Sequence, residues 1–166
     1  MGADALAYAL GISVKEAQEF IDEYYRNFPD LASNIEKAKQ FLIKNGYLTN
    51  YFGFTRTWKY HTEEDHGSLR EGVNHLVQSP AWNIVQLAMI QIDEEFTKQK
   101  MESELILQRY DAIIAEAVDD EVDEVARIMK DKMINVIKPY EGLNRVLLNT
   151  DIEIGKNLAD LEKYKI

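Results

Sequence analysis

Along the first half of the chain, apolar residues recur at three- and four-residue spacing, the period of helices with one buried face. Ala3 to Leu10 form a short alanine-rich apolar segment that breaks at Gly11. Ser13-Val14-Lys15-Glu16 has the form of a capping box, with Ser13 at the cap and Glu16 able to reach back. Ala17, Phe20, Ile21, Tyr24 and Phe28 then predict the inner face of a helix that Pro29 ends. Asp30 is placed to cap a second helix, with Leu31, Ile35, Ala38, Phe41 and Leu42 inward and a stop at Asn45-Gly46.

The period changes at 47–59, where Tyr47, Leu48, Thr49, Tyr51 and Phe52, then Thr55, Thr57 and Trp58, predict a hairpin turning around Gly53. Residues 60–68 are polar and read as a loop. A helix over 69–77 is expected to stop at Gln78, and Ser79-Pro80 to restart one, with Val85, Ala88, Met89, Ile92 and Phe96 inward. Leu105-Ile106-Leu107 and Ile113-Ile114-Ala115 predict two strands joined by a tight turn at Tyr110-Asp111. The acidic run Asp119-Asp120-Glu121 suits a helix N-terminus, and Val122, Val125, Ile128, Met129, Met133 and Val136 supply its buried stripe. Ile152-Glu153-Ile154 predict a last strand ending at Gly155. The fold class is therefore α+β: a small antiparallel sheet with the helices at 80–99 and 119–137 packed on one face.

Composition narrows the chemistry. The chain has 166 residues and no cysteine, which removes disulfides, thiolate metal sites and a cysteine nucleophile. No apolar run approaches the roughly 20 residues needed to span a bilayer, and a cytoplasmic protein is the expectation. The net charge is −10, from 19 basic and 29 acidic residues. Such a balance opposes strong nucleic-acid binding by this chain alone. His61 and His66 sit in the polar loop without clear ligand partners and read as surface histidines, so a metal hydrolase or nuclease has little support.

The order of motifs resembles the family A DNA polymerases, the bacterial polymerase I type and its phage relatives. Gly11-Ile12-Ser13-Val14-Lys15-Glu16-Ala17, followed by Tyr24-Tyr25-Arg26-Asn27-Phe28-Pro29, looks like the fingers helices of that family. Asn45-Gly46-Tyr47-Leu48-Thr49, with Gly53 and Arg56, resembles its hairpin. More specific is Arg70-x-x-x-Asn74-x-x-x-Gln78, followed by Ser79-Pro80-Ala81. By spacing alone this is a polar stripe on one helix face, which solvent would also explain. The resemblance implies that Arg70, Asn74 and Gln78 face the minor groove near the primer terminus. Acceptors there lie at similar positions in every base pair, so donors can check pair shape without reading sequence.

Leu107-Gln108-Arg109-Tyr110-Asp111-Ala112 resembles the palm hairpin called motif C, usually an apolar residue, Gln, an apolar residue, then His-Asp-Glu. A turn aspartate is common in any protein; the resemblance implies that Asp111 is a catalytic, Mg²⁺-binding carboxylate and that Tyr110 touches primer–template DNA. The acidic helix start at 119–125 and Ile152-Glu153-Ile154-Gly155 continue the match. Departures stand out in the same motif: Tyr110 replaces His, Arg109 replaces an apolar residue, and Ala112 replaces the second carboxylate. Pro80, Trp82 and Asn83 also stand where small residues and an aspartate are common.

The resemblance divides the chain into a helical fingers remnant, 1–46, and a palm subdomain, 47–166. It places the triphosphate-gripping helix and the first metal-binding aspartate upstream of the matched residues. The chain is then expected to be the C-terminal fragment or subunit of a phage-like DNA-directed DNA polymerase. It would be inactive alone and completed by an N-terminal polymerase part, with primer–template DNA, dNTP and two Mg²⁺ ions in the complete enzyme. The alternative is a non-catalytic, polymerase-derived interaction domain, which Ala112 and the acidic charge favour.

Overall fold

Ser13 opens the second helix through the expected capping box, accepting from the Glu16 backbone while Glu16 accepts from the Ser13 N–H at 2.9 Å. The computed structural model describes residues 2–166. Its order is α1 (Ala3–Leu10), α2 (Val14–Asn27), α3 (Pro29–Asn45), β1 (Tyr47–Thr49), β2 (Thr55–Thr57), α4 (His66–Gln99), β3 (Glu104–Arg109), β4 (Ala112–Glu116), α5 (Val122–Asn135), β5 (Ile152–Ile154) and β6 (Glu162–Tyr164). One-turn 3₁₀ segments precede α5 at Asp119–Glu121 and follow it at Leu143–Arg145. The strands form three two-stranded antiparallel sheets, β1–β2, β3–β4 and β5–β6. The fold is α+β, as the periodicity predicts.

Two compact units are present, one ending at Val77 and the other beginning at Gln78. In the first unit, Leu42, Leu48, Trp58 and Leu69 form the core, with Ile43 and Leu76 against it. Gly72 faces this cluster so closely that a Cβ there would lie 2.6 Å from Leu42 Cδ2. Several expected inner residues are not inside. Phe20, Tyr24, Phe28, Leu31 and Phe41 are exposed, while Ala17 and Leu42 are buried. Periodicity shows which residues share a helix face, not whether another element covers that face. Asp30 does not cap α3 either: Pro29 takes the first turn, where its missing N–H costs no helical bond, and Phe28 is the N-cap residue.

His61 is half-buried, its Nδ1 at 2.9 Å from the Ile43 carbonyl, and is structural rather than a free surface histidine. His66 is exposed at the start of α4. The break expected at Gln78 is also absent, because α4 continues through Pro80. An internal proline costs about 3 kcal/mol through a lost hydrogen bond and a ring clash. Burial of Val85, Ala88, Ile92 and Phe96 beyond it is worth about 1.5–3 kcal/mol for each larger side chain, enough to carry the helix through.

In the second unit, Ile92 and Phe96 of α4 pack with Val125, Ile128 and Met129 of α5, and Leu105, Ile113 and Ala115 of the β3–β4 hairpin lie against them. A neighbouring cluster joins Ala88, Val136 and Ile137. The hairpin register slips between Leu105 and Leu107, leaving Ile106 as one extra residue in β3. In a regular strand, positions 105, 107 and 109 would share a face. The bulge separates them, so Leu105 joins the core while Leu107 stays exposed. The hairpin β5–β6 closes the chain, and Gly155 fits within it because a Cβ would lie 2.2 Å from the Asp160 carbonyl oxygen. The strand β6, Glu-Lys-Tyr, follows the strand that the sequence predicts as the last, and its short polar sequence carries no strand signal.

Candidate functional site

Arg109 pairs with Ala112, so Tyr110 and Asp111 alone reverse the chain between β3 and β4. Tyr110 has φ +56°, while Asp111 does not share the positive φ. That sign pattern belongs to a type II′ turn, which usually places glycine first. A non-glycine residue there costs on the order of 1 kcal/mol, met here by the strand pairing on either side. Gln108 adds a local brace: its Nε2 donates to the Tyr110 carbonyl at 3.1 Å. Sequence reasoning did not single out this role for Gln108. Its position two residues before the turn was the available signal.

The turn projects its side chains outward. Tyr110 is 86% exposed and Asp111 is exposed. Among the described residues, no hydrogen bond or ion pair engages the Asp111 carboxylate. The base of the hairpin is held differently. Glu121 accepts from the Glu102 and Ser103 N–H groups at 3.1 and 2.9 Å and from the Ser103 hydroxyl at 2.5 Å. Ser103 Oγ in turn accepts from the Val118 N–H at 3.0 Å. The Ser103 hydroxyl and these backbone donors keep the Glu121 carboxyl below its ordinary value of 4.5, against an opposing effect of burial.

Arg70, Asn74 and Gln78 follow one another at four-residue intervals along α4, and all three are exposed. Among the described residues, nothing pairs with their side chains. Arg70 and Asn74 belong to the first unit, and Gln78, Tyr110 and Asp111 to the second. Beside Arg70, Glu71 accepts from Arg56 at 2.7 Å and from the Trp58 indole at 3.3 Å, with the Arg56 guanidinium 4.9 Å from the Trp58 ring. The arginine of the β1–β2 hairpin is thus engaged in holding that hairpin to α4.

The sequence profile of DNA polymerase family A matches residues 1–160. The chain belongs to this family. DNA polymerase I of Chloroflexus aurantiacus is 30% identical over 164 residues, covering 97% of this family A chain and 17% of its relative. The thermostable DNA polymerase I of Thermus aquaticus is 29% identical over 160 residues, with 93% and 18% covered. This chain therefore spans less than a fifth of the length of either relative. A solved structure titled as the POL domain of Pol1 from M. smegmatis, in complex with DNA primer-template and dNTP, superimposes with a TM-score of 0.72. That match has 24% identity and covers 81% of this chain and 24% of the other. It places the fold within the polymerase-domain architecture.

The donor set at the family A turn is small. The Ala112 side chain offers no metal-binding atom beside Asp111. Among the described residues, no group of three or more His, Asp or Glu side chains is arranged to hold a metal ion. No helix is long and apolar enough to cross a membrane.

Proposed function

We propose that this chain is the fingers-end and palm part of a DNA-directed DNA polymerase, with residues 1–46 in the fingers and 47–166 in the palm. Asp111 supplies one carboxylate ligand for Mg²⁺. Arg70, Asn74 and Gln78 donate to minor-groove acceptors, and Tyr110 meets the primer end. The observation that carries this reading is the two-residue turn itself: a paired hairpin, backed by α4 and α5, presents an unengaged aspartate at its tip. Mg²⁺ held in part by Asp111 would supply charge neutralisation for nucleotidyl transfer. The protein's part is positioning. Gln108 braces the turn, and among the described residues the exposed Arg70, Asn74 and Gln78 side chains have no partner and can act as donors. One carboxylate does not complete a two-metal site, so an N-terminal polymerase part supplies the remaining ligands and the dNTP grip. The chain alone is inactive.

A second reading, a polymerase-derived interaction domain without catalysis, draws support from Ala112. Reconstitution separates the two. This chain, combined with the N-terminal part of a family A polymerase, should extend a primer on a template. Asp111→Asn should nearly abolish extension while leaving DNA binding largely intact, because the amide keeps the shape but loses the charge. Undiminished extension by Asp111→Asn would remove Asp111 from catalysis. Template-directed extension by the chain alone would refute the need for a partner.

A further inference from the structure

Arg109 is the sole basic residue between Lys100 and Arg127, a stretch of 26 residues that contains nine acids. A cation in such surroundings would be expected to pair with a carboxylate. Yet Arg109 is exposed, and among the described residues it makes no ion pair. Its place explains why. Residues directly opposite in an antiparallel ladder project from the same face, and Arg109 stands opposite Ala112 at the end of the hairpin. The next pair on that face is Leu107 and Ile114, whereas Ile113, Ala115 and Leu105 face the α4–α5 core. Arg109 therefore projects from the side away from the helices, and the next residue in the chain is the exposed Tyr110. The family pattern has an acid at position 112 and an apolar residue at 109. This chain has instead put a guanidinium on that face and removed the carboxylate across from it.

We infer that Arg109 is a phosphate-binding residue, its guanidinium taking a phosphodiester of the strand that ends at the Tyr110-Asp111 turn. The inference rests on the reading of that turn as primer-facing. A guanidinium offers two parallel N–H donors to phosphate oxygens and keeps its charge at any working pH. The neighbouring Tyr110 ring provides an apolar surface for the terminal sugar or base. The bulge at Ile106 and the Gln108 brace fix the face and the tip from which Arg109 reaches out.

The test is fluorescence anisotropy of the whole chain with a labelled primer–template duplex, titrated at several salt concentrations. Wild type should bind at low salt. Arg109→Ala should weaken binding several-fold and reduce the salt slope by about 1, the signature of one lost phosphate contact. Arg109→Lys should keep the slope. Ala112→Glu should weaken binding as Arg109→Ala does, because the new carboxylate captures the guanidinium across the ladder, and circular dichroism should show each variant folded. An unchanged slope in Arg109→Ala overturns the inference, as does failure of the wild type to bind. Arg70→Ala separates this failure from that of the broader reading. If it weakens binding while Arg109→Ala does not, only the phosphate role falls; if neither matters, the DNA-facing assignment falls with it.

Discussion

The Ser103 hydroxyl donates to Glu121 at 2.5 Å and accepts from the Val118 N–H at 3.0 Å, tying both ends of the β3–β4 hairpin to the start of α5. Ser103 is 3% exposed. Ser103→Ala leaves the Val118 N–H without that acceptor in a half-dry setting. It should cost about 1–3 kcal/mol. Hydrogen exchange of the amides at 104–116 is the direct readout, and it should accelerate there more than in α2 or α3. Uniform acceleration across the chain would show that Ser103 does not act on the hairpin.

Glu95 predicts an acid response. Hydrogen bonds from Gln99, then Lys132 and Lys98, outweigh burial and hold its carboxyl at about 2 instead of 4.5. A carboxyl lowered in the folded state binds fewer protons there than in the unfolded chain. Its contribution is thus complete above about 4.5 and is lost as the pH falls towards 2. The urea midpoint should fall over that window, and Glu95→Gln should flatten the fall. Parallel pH profiles for wild type and variant would rule out the linkage.

Gly72 sets helix propensity against packing. Alanine would gain about 1 kcal/mol in a helix interior, but its Cβ would lie 2.6 Å from Leu42 Cδ2 and 3.0 Å from Leu48 Cδ1. Overpacking a filled core costs about 1–3 kcal/mol, so the clash should win. Gly72→Ala should unfold at lower urea than wild type, and Leu42→Ala added to it should recover less space-filling strain than it creates as a cavity. A stabilised Gly72→Ala would mean that the Leu42 side chain moves aside freely.

Tyr110 holds a backbone conformation that glycine adopts without strain, and its ring is almost fully exposed. Tyr110→Gly should therefore leave stability unchanged or raise it by up to about 1 kcal/mol. In the reconstituted polymerase it should reduce use of the primer terminus. Retained stability with reduced extension would separate function from folding at this position. A clear loss of stability would show that the ring packs in a way its exposure does not suggest.

Much of this architecture was legible because period and punctuation agree. Val125, Ile128 and Met129 announced the α5 core, and two apolar runs around Tyr110-Asp111 announced the hairpin. What escaped reading depended on energies that no local window contains. Pro80 looked like a helix start because its local chemistry suits one, but burial on its C-terminal side carries α4 through. The spacing of the aromatic stripe of α2 and α3 predicts an inward face, yet Phe20, Tyr24 and Phe41 remain exposed. At the candidate site, the exposed turn aspartate followed from the strand pattern. The Gln108 brace and the face taken by Arg109 did not, since both depend on a register altered by one inserted residue.

That inserted residue also bears on solubility. A sheet of two strands has two open edges, each a row of N–H and C=O groups able to template pairing with another molecule. In the β3–β4 hairpin the danger is compounded by Ile106 and Leu107, both exposed. A bulge interrupts the regular donor–acceptor spacing and adds twist, so a second β3 edge cannot run alongside in register. Ile106 thus protects the hairpin against edge-to-edge aggregation while it turns Leu105 into the core.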